Sequence, residues 1–541
     1  MAAMTTARAA LAGATVGLLA AAAESLRPSL TPRNTLHQGL VTGFMGTTGA
    51  AVGAAVGAAG GRAAGDRSGY WLPATVVGAG TALAVFRGRK HLAAQSDAHE
   101  EWGPNEGQPA LGALAGGAAA AGLTAAGALV GEGVGNAGAA IADRLPGPPA
   151  LWTVATAGTA AGATVVAGKL TFARVLRGLT ASGAAADAAL VEPSTDPFVS
   201  GGPGSLVPYD SLSREGRRFV AWRVPQAEIT AAGLPDAQEP IRVFVGVETA
   251  PSVTERVDLA MAELERLGAW DKSAVLVVSP AGTGYANSVP VEALEFLTAG
   301  DCASVAVQYG LLPSMFSLAK IDLAALTFRT LIDRIAERIA DLPSRPRLLA
   351  YGESLGAGAA QHGLQIEPNL VDVPAARMRE VDAALFVGTP GGQSLRNDLL
   401  DNPHTVHVDR WQALPDPLPR DVQLWFLEHD ADPVTRFDRT LLWSKPRWLA
   451  ADPRGRNVPD DMLWLPMTTW QQVLLDVAYA TQAQSGVFRS VGHDYRADLA
   501  PLVAAAFEPD RMAEVPHIQQ LLADREVARD RLLAAAEGTD A

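Results

Sequence analysis

Ser354 stands between two glycines in Gly352-Glu353-Ser354-Leu355-Gly356, after the apolar run Arg347–Tyr351 and before a stretch of small residues. A serine so placed can act as a nucleophile. On a sharp strand-to-helix turn its hydroxyl is exposed, only small neighbours fit, and the N–H groups of the next helix can bind an oxyanion. Such a serine needs a histidine to take its proton and a carboxylate to orient the imidazole. His493, in Val491-Gly492-His493-Asp494-Tyr495, lies between an acidic cluster and the terminal helices. The cluster offers Glu428, Asp430 and Asp432, with Asp438 further on. Asp432 is favoured because Pro433 holds it extended just past the end of a strand. Ser314 is the next candidate nucleophile.

Oxyanion donors would come from the N–H of Leu355 and from an earlier glycine-rich loop, Gly282-Thr283-Gly284 within Ser279–Tyr285. The bland alternative is a glycine turn that merely closes a strand. No pattern for a metal, a nucleotide or a flavin is present, so no cofactor is expected.

These residues require a scaffold that ends strands where they stand. Apolar runs at Ile241–Glu248, Ala274–Ser279, Ser304–Tyr309, Arg347–Tyr351, Val381–Val387 and Val422–Leu427 read as strands, and Val253–Leu267 and Leu323–Ala340 as helices between them. Alternation of this kind predicts a mostly parallel sheet with helices on both faces, and ligands at the carboxyl ends of the strands.

The N-terminal third has a different composition. Uncharged runs at Ala9–Ala23, Thr35–Gly61, Gly69–Phe86, Gln108–Gly131 and Leu145–Gly168 predict an α-helical transmembrane region of four or five helices over residues 1–177. Within it, Gly53, Gly57 and Gly61 have the spacing that lets helix backbones approach closely. With five spans, Arg27, Arg33, Arg87, Arg89, Lys90, Lys169, Arg174 and Arg177 fall on one side, against Arg8, Arg62, Arg67 and Arg144 on the other. That count puts the C-terminal domain in the cytoplasm. Residues 178–239, rich in proline and glycine, read as a linker, residues 240–525 as the catalytic domain and residues 526–541 as a tail. The charge divides with the composition, net +3 over residues 1–190 and −17 over the remainder. So acidic a domain has no footprint for nucleic acid. With Cys302 the only cysteine, a disulfide framework is excluded.

Several segments together resemble one family. They are Pro240–Gly246, Ser279–Tyr285, Gly300-Asp301, Val307–Tyr309 with Leu312-Pro313-Ser314, the Ser354 motif, Asp432-Pro433-Val434 and Gly492–Tyr495. Ser29–Arg33 with Gln38-Gly39, and Ser200–Leu206, extend the likeness to the N-terminal part. The family is that of actinobacterial membrane-anchored α/β-hydrolases, a multi-spanning region followed by a serine-hydrolase domain. The resemblance implies an α/β-hydrolase fold, a membrane location and a triad of Ser354, Asp432 and His493. Phe488–Gly492 departs from the Gly-His-Gly-His run more usual there.

The expected activity is that of an integral membrane serine hydrolase cleaving carboxylic esters of lipid-like substrates through an acyl-enzyme. Acyl transfer with the same triad is the rival, and a membrane transport or scaffold protein with a relic domain the other. The 60 residues between Asp432 and His493 carry Trp443, Trp448, Trp464 and Trp470. They suggest either core or an acyl pocket, with Trp464 and, from the loop after the third strand, Phe316 as pocket candidates.

Overall fold

The computed structural model describes residues 2–64, 71–97, 100–102, 108–144, 187–311, 321–365, 381–392, 394–400, 404–480 and 484–538. The chain forms two units, one of residues 1–175 with 437–480, the other of residues 176–436 with 481–541.

The first unit is helical. Its long helices are α1 (Ala2–Ser25), α2 (Thr35–Ala64), α3 (Trp71–Asp97) and α4 (Pro109–Ala142). Glycine decides how they pack. A Cβ on Gly53 would fall 2.1 Å from Gly13 O, and one on Gly116 2.1 Å from Gly39 O, so α2 meets α1 along one glycine face and α4 along another. Over Thr35–Gly60 and Pro109–Ala126, α2 and α4 are long and apolar enough to cross a membrane, while α1 offers the shorter apolar stretch Ala9–Ser25. The expected four or five spans therefore become two among the described residues. In α3 the apolar run stops at Arg87, Arg89 and Lys90, and Glu24 of α1 lies 3.3 Å from Arg87 and 3.7 Å from His91. The run Leu145–Gly168 lies outside the described residues, as do Arg67, Lys169, Arg174 and Arg177 of the orientation count.

Residues 437–480 belong to this helical unit although both ends join the other one. Their anchor is Asp476, buried on the helix Thr468–Ala478. It accepts from Ser29 Oγ and from Leu30 N (3.1 Å), and lies 3.5 Å from Arg33 Nε and 3.3 Å from His37 Nε2. The His37 ring stacks on Tyr479 at 4.1 Å. Burial opposes the Asp476 charge, but Arg33, with His37 and Ser29, outweighs it and holds the carboxyl below its usual range.

The second unit is a sheet with helices packed on it. Its strands are β1 (Ile241–Val245), β2 (Ala274–Ser279), β3 (Cys302–Val307), β4 (Arg347–Glu353), β5 (Ala383–Val387), β6 (Thr405–Val408) and β7 (Leu424–Leu427). They run parallel in the order β1-β3-β2-β4-β5-β7-β6. Every residue of β1, β2, β3, β5 and β7 is buried, as strands covered by helices on both faces must be. The helices that matter for the site are α5 (Val253–Leu267), α6 (Ser288–Leu297), α7 (Ile321–Ile339), α8 (Leu355–Leu364), α9 (Arg496–Phe507) and α10 (Val515–Glu537). The start of α5 is fixed by Ser252 and Glu255, each bonding the other's backbone N–H.

The stretch expected to be a linker is part of this unit's core. Val199, Val207, Tyr209, Leu212, Phe219, Val220 and Val224 are buried in the same apolar cluster as the strands. Val199 bridges Arg242 at the sheet edge, and Val224 N donates to Glu295 Oε2 (3.0 Å). Glu295 in turn holds Arg242 at 2.6 Å with both side chains fully buried. The expected tail begins inside α10, where Arg525 and Arg529 pair with Glu292 of α6.

Candidate active site

Strand order reverses between β2 and β4, and the chain leaves their carboxyl ends in opposite directions, which opens a crevice. Ser354 sits there, directly after β4, at φ +54° and ψ −128°. A non-glycine residue pays for such a conformation in strain, so the turn must be held from outside. Ser354 N donates to Val387 O of β5 (2.8 Å), and Ala357 N returns to Ser354 O (2.9 Å). The flanking glycines are required by space. A Cβ on Gly352 would lie 2.7 Å from Gly356 O, and one on Gly356 would lie 2.2 Å from Ser279 O.

A cavity of about 300 Å³ opens at this point, lined by Ser354, His493, Ser279, Tyr285, Asn287, Glu353 and others. His493 reaches it from the loop before α9. Its Nδ1 lies 2.7 Å from Asp432 Oδ2, and because a carboxylate only accepts, Nδ1 carries the hydrogen and Nε2 the lone pair. Burial alone would lower the His493 pKa, but the Asp432 charge outweighs it, and the imidazole titrates above its usual range.

Asp432 itself is fully buried just beyond β7. Its Oδ1 accepts from Val434 N (2.8 Å), and Tyr495 Oη donates to Oδ2 (2.6 Å). The competing carboxylates have other partners. Asp430 pairs with Arg436 at 2.8 Å. Glu428 is buried, which alone would raise its pKa, yet His407 and Arg396 hold it down to about 2. Asp438 caps the turn Arg439–Leu442 by accepting from Thr440 N (2.6 Å).

Leu355 opens α8 immediately after Ser354, as an oxyanion donor must. The loop after β2 is tied down by Gln308, whose Nε2 donates to Thr283 O (2.6 Å) and Gly310 O (2.8 Å). Gly284 does not serve as expected, because its N–H is already donated to Ala281 O (2.8 Å) inside the turn. Gly282 and Thr283 remain as the loop's candidates. Trp464 and Phe316 were the pocket residues expected from sequence. Trp464 lies in the helical unit, where its Nε1 donates to Leu441 O (3.0 Å), and Phe316 and Ser314 lie outside the described residues. Among the described residues no group of histidine, cysteine and carboxylates is arranged to hold a metal ion.

A model of an alpha/beta-hydrolase family matches residues 241–519, more than half of the chain, and the model of that family's N-terminus matches residues 26–222. The chain belongs to this alpha/beta-hydrolase family. Comparison with curated proteins and with solved structures finds no match. Family membership suggests hydrolase activity, and the parallel seven-stranded sheet carries Gly352-x-Ser354-x-Gly356 at the junction of β4 and α8. Sequence reasoning missed four residues that line the cavity: Glu353, Asn287, Tyr495 and Arg496. Glu353 and Tyr495 lie within two positions of the residues singled out, but only the fold shows what they touch.

Proposed function

We propose that the protein is a membrane-associated serine hydrolase that cleaves carboxylic esters through an acyl-enzyme. The observation that carries the reading is the convergence on one cavity of a serine held at a strained turn and a histidine whose Nδ1 is fixed by a buried aspartate. Ser354 Oγ attacks the ester carbonyl carbon while its proton passes to His493 Nε2. The carbonyl oxygen becomes an oxyanion and takes hydrogen bonds from Leu355 N–H and from Gly282 or Thr283 N–H. The C–O bond then breaks, the alcohol leaves with the proton from His493, and the acyl group remains on Ser354. Water, deprotonated by the same imidazole, completes the cycle.

The membrane part of the proposal is supported by the packing of α2 and α4, which approach closely at Gly39, Gly43, Gly112 and Gly116 while Leu40, Phe44, Val52, Val56, Leu114 and Leu123 are exposed. A domain carried on such helices would meet lipid-like esters at the bilayer. The purified full-length protein in detergent should give a stoichiometric burst of p-nitrophenol from p-nitrophenyl butanoate. Absence of both burst and turnover from a folded sample would contradict the reading.

A further inference from the structure

Glu353, the residue before the nucleophile, lines the cavity beside Ser354. Two donors fix its carboxylate, and both use one oxygen. Tyr351 Oη donates to Oε2 (2.7 Å) and Asn287 Nδ2 donates to the same Oε2 (2.9 Å). Asn287 is held in turn, because its Oδ1 caps α6 by accepting from Val289 N (3.0 Å). Among the described residues Oε1 has no hydrogen-bond donor. The arginine of the lining is not available to it. Arg496 is committed to Asp494 (2.7 Å) and to Glu526 (2.7 Å), and also donates to Gln484 O (3.2 Å) and Val487 O (3.0 Å). A site that leaves one oriented carboxylate oxygen beside its nucleophile will discriminate strongly among substrates, because an acceptor left unpaired on binding costs far more than a missing methylene.

We propose that Glu353 determines specificity, its Oε1 accepting a hydrogen bond from an N–H or O–H borne by the acyl part of the ester, with an ammonium preferred and a carboxylate excluded. This rests on the reading of Ser354 as nucleophile. The acyl part is favoured because it stays on Ser354 through both half-reactions, so one anchor serves acylation and deacylation alike. With Asp494, Glu526 and Glu353 against Arg496 and His493, the lining carries an excess of negative charge while the imidazole is neutral, which acts in the same direction.

The test compares p-nitrophenyl esters of nearly equal size: 3-aminopropanoate, 3-hydroxypropanoate, butanoate and hemisuccinate, each corrected for spontaneous hydrolysis. The full-length protein should turn over 3-aminopropanoate with kcat/KM roughly tenfold or more above butanoate, 3-hydroxypropanoate between them, and hemisuccinate last. In Glu353→Gln the ratio of 3-aminopropanoate to butanoate should fall toward one, and in Asn287→Ala part of the way. Equal rates on 3-aminopropanoate and butanoate in the wild type, or an unchanged ratio in Glu353→Gln, would overturn the proposal. Labelling of the same samples with a fluorophosphonate separates the two claims. Labelled protein without the preference refutes Glu353 alone, whereas an unlabelled wild type refutes the hydrolase reading beneath it.

Discussion

Tyr495 Oη donates to Asp432 Oδ2, the same oxygen that lies 2.7 Å from His493 Nδ1. One carboxylate oxygen thus serves two donors, and the tyrosine ring that brings one of them stands edge-on to the His493 ring at 5.5 Å. The same hydroxyl accepts from His429 N (3.1 Å), so it ties the end of β7 to the histidine loop.

Tyr495→Phe keeps the ring and removes both bonds. It should lower kcat several-fold with little change in KM, because the hydroxyl is already engaged by Asp432 and His429 N, and it should cost about 1 kcal/mol of stability. Steady-state kinetics and chemical denaturation measure the two effects, and unchanged kcat would remove Tyr495 from the positioning of Asp432.

The acid can be tested against its neighbour. Asp432→Asn should reduce turnover by roughly 10⁴-fold, the loss typical when a triad aspartate becomes an amide. Asp430→Asn, whose side chain faces Arg436, should cost little turnover. The opposite ranking would mean that another carboxylate orients the imidazole.

Turnover should also report the His493 shift. Only the neutral imidazole accepts a proton from Ser354, so kcat/KM should rise with pH through an apparent pKa above the usual histidine value of about 6.5. A group whose pKa is raised by folding stabilises the fold fully below its unfolded value and loses that contribution as pH rises through the folded one. The Tm difference between wild type and His493→Gln should therefore be larger at about pH 5.5 than at about pH 9. A midpoint of the kinetic limb below the usual value would show that burial, not Asp432, dominates.

How much of this could be read from the chain follows from what each segment packs against. Six strands were legible because buried parallel strands are continuous apolar runs, whatever surrounds them. The strand Thr405–Val408 was not, since it is four residues long, half exposed and interrupted by His407. Ser354, Asp432 and His493 stand out through motif and chain order, which survive without coordinates. Residues 178–239 misled because proline and glycine mark turns as well as linkers, and here the turns fold Val199 to Val224 into the core. The tryptophans between 443 and 470 misled for a related reason. Apolar composition does not name a partner surface, and here Trp443 is left exposed while the contacts of Asp476 with Ser29, Arg33 and His37 join the segment to the helical unit.

That anchor makes its own prediction. Asp476→Ala leaves the buried Arg33 and His37 facing an empty site, and breaking a buried pair from one side costs about 3–5 kcal/mol. Thermal unfolding of the detergent-solubilised protein should show a clearly lowered first transition, and an unchanged melting curve would mean that Asp476 does not hold residues 437–480 to the helical unit.

The central claim, that Ser354 is a nucleophile activated by His493, is tested most directly by intact-mass and peptide mapping after treatment with a fluorophosphonate. The wild type should gain one adduct, on the peptide containing Ser354, while Ser354→Ala should gain none and His493→Ala should label orders of magnitude more slowly. An adduct that persists in Ser354→Ala, for example on Ser314, or a folded wild type that never labels, would contradict the account.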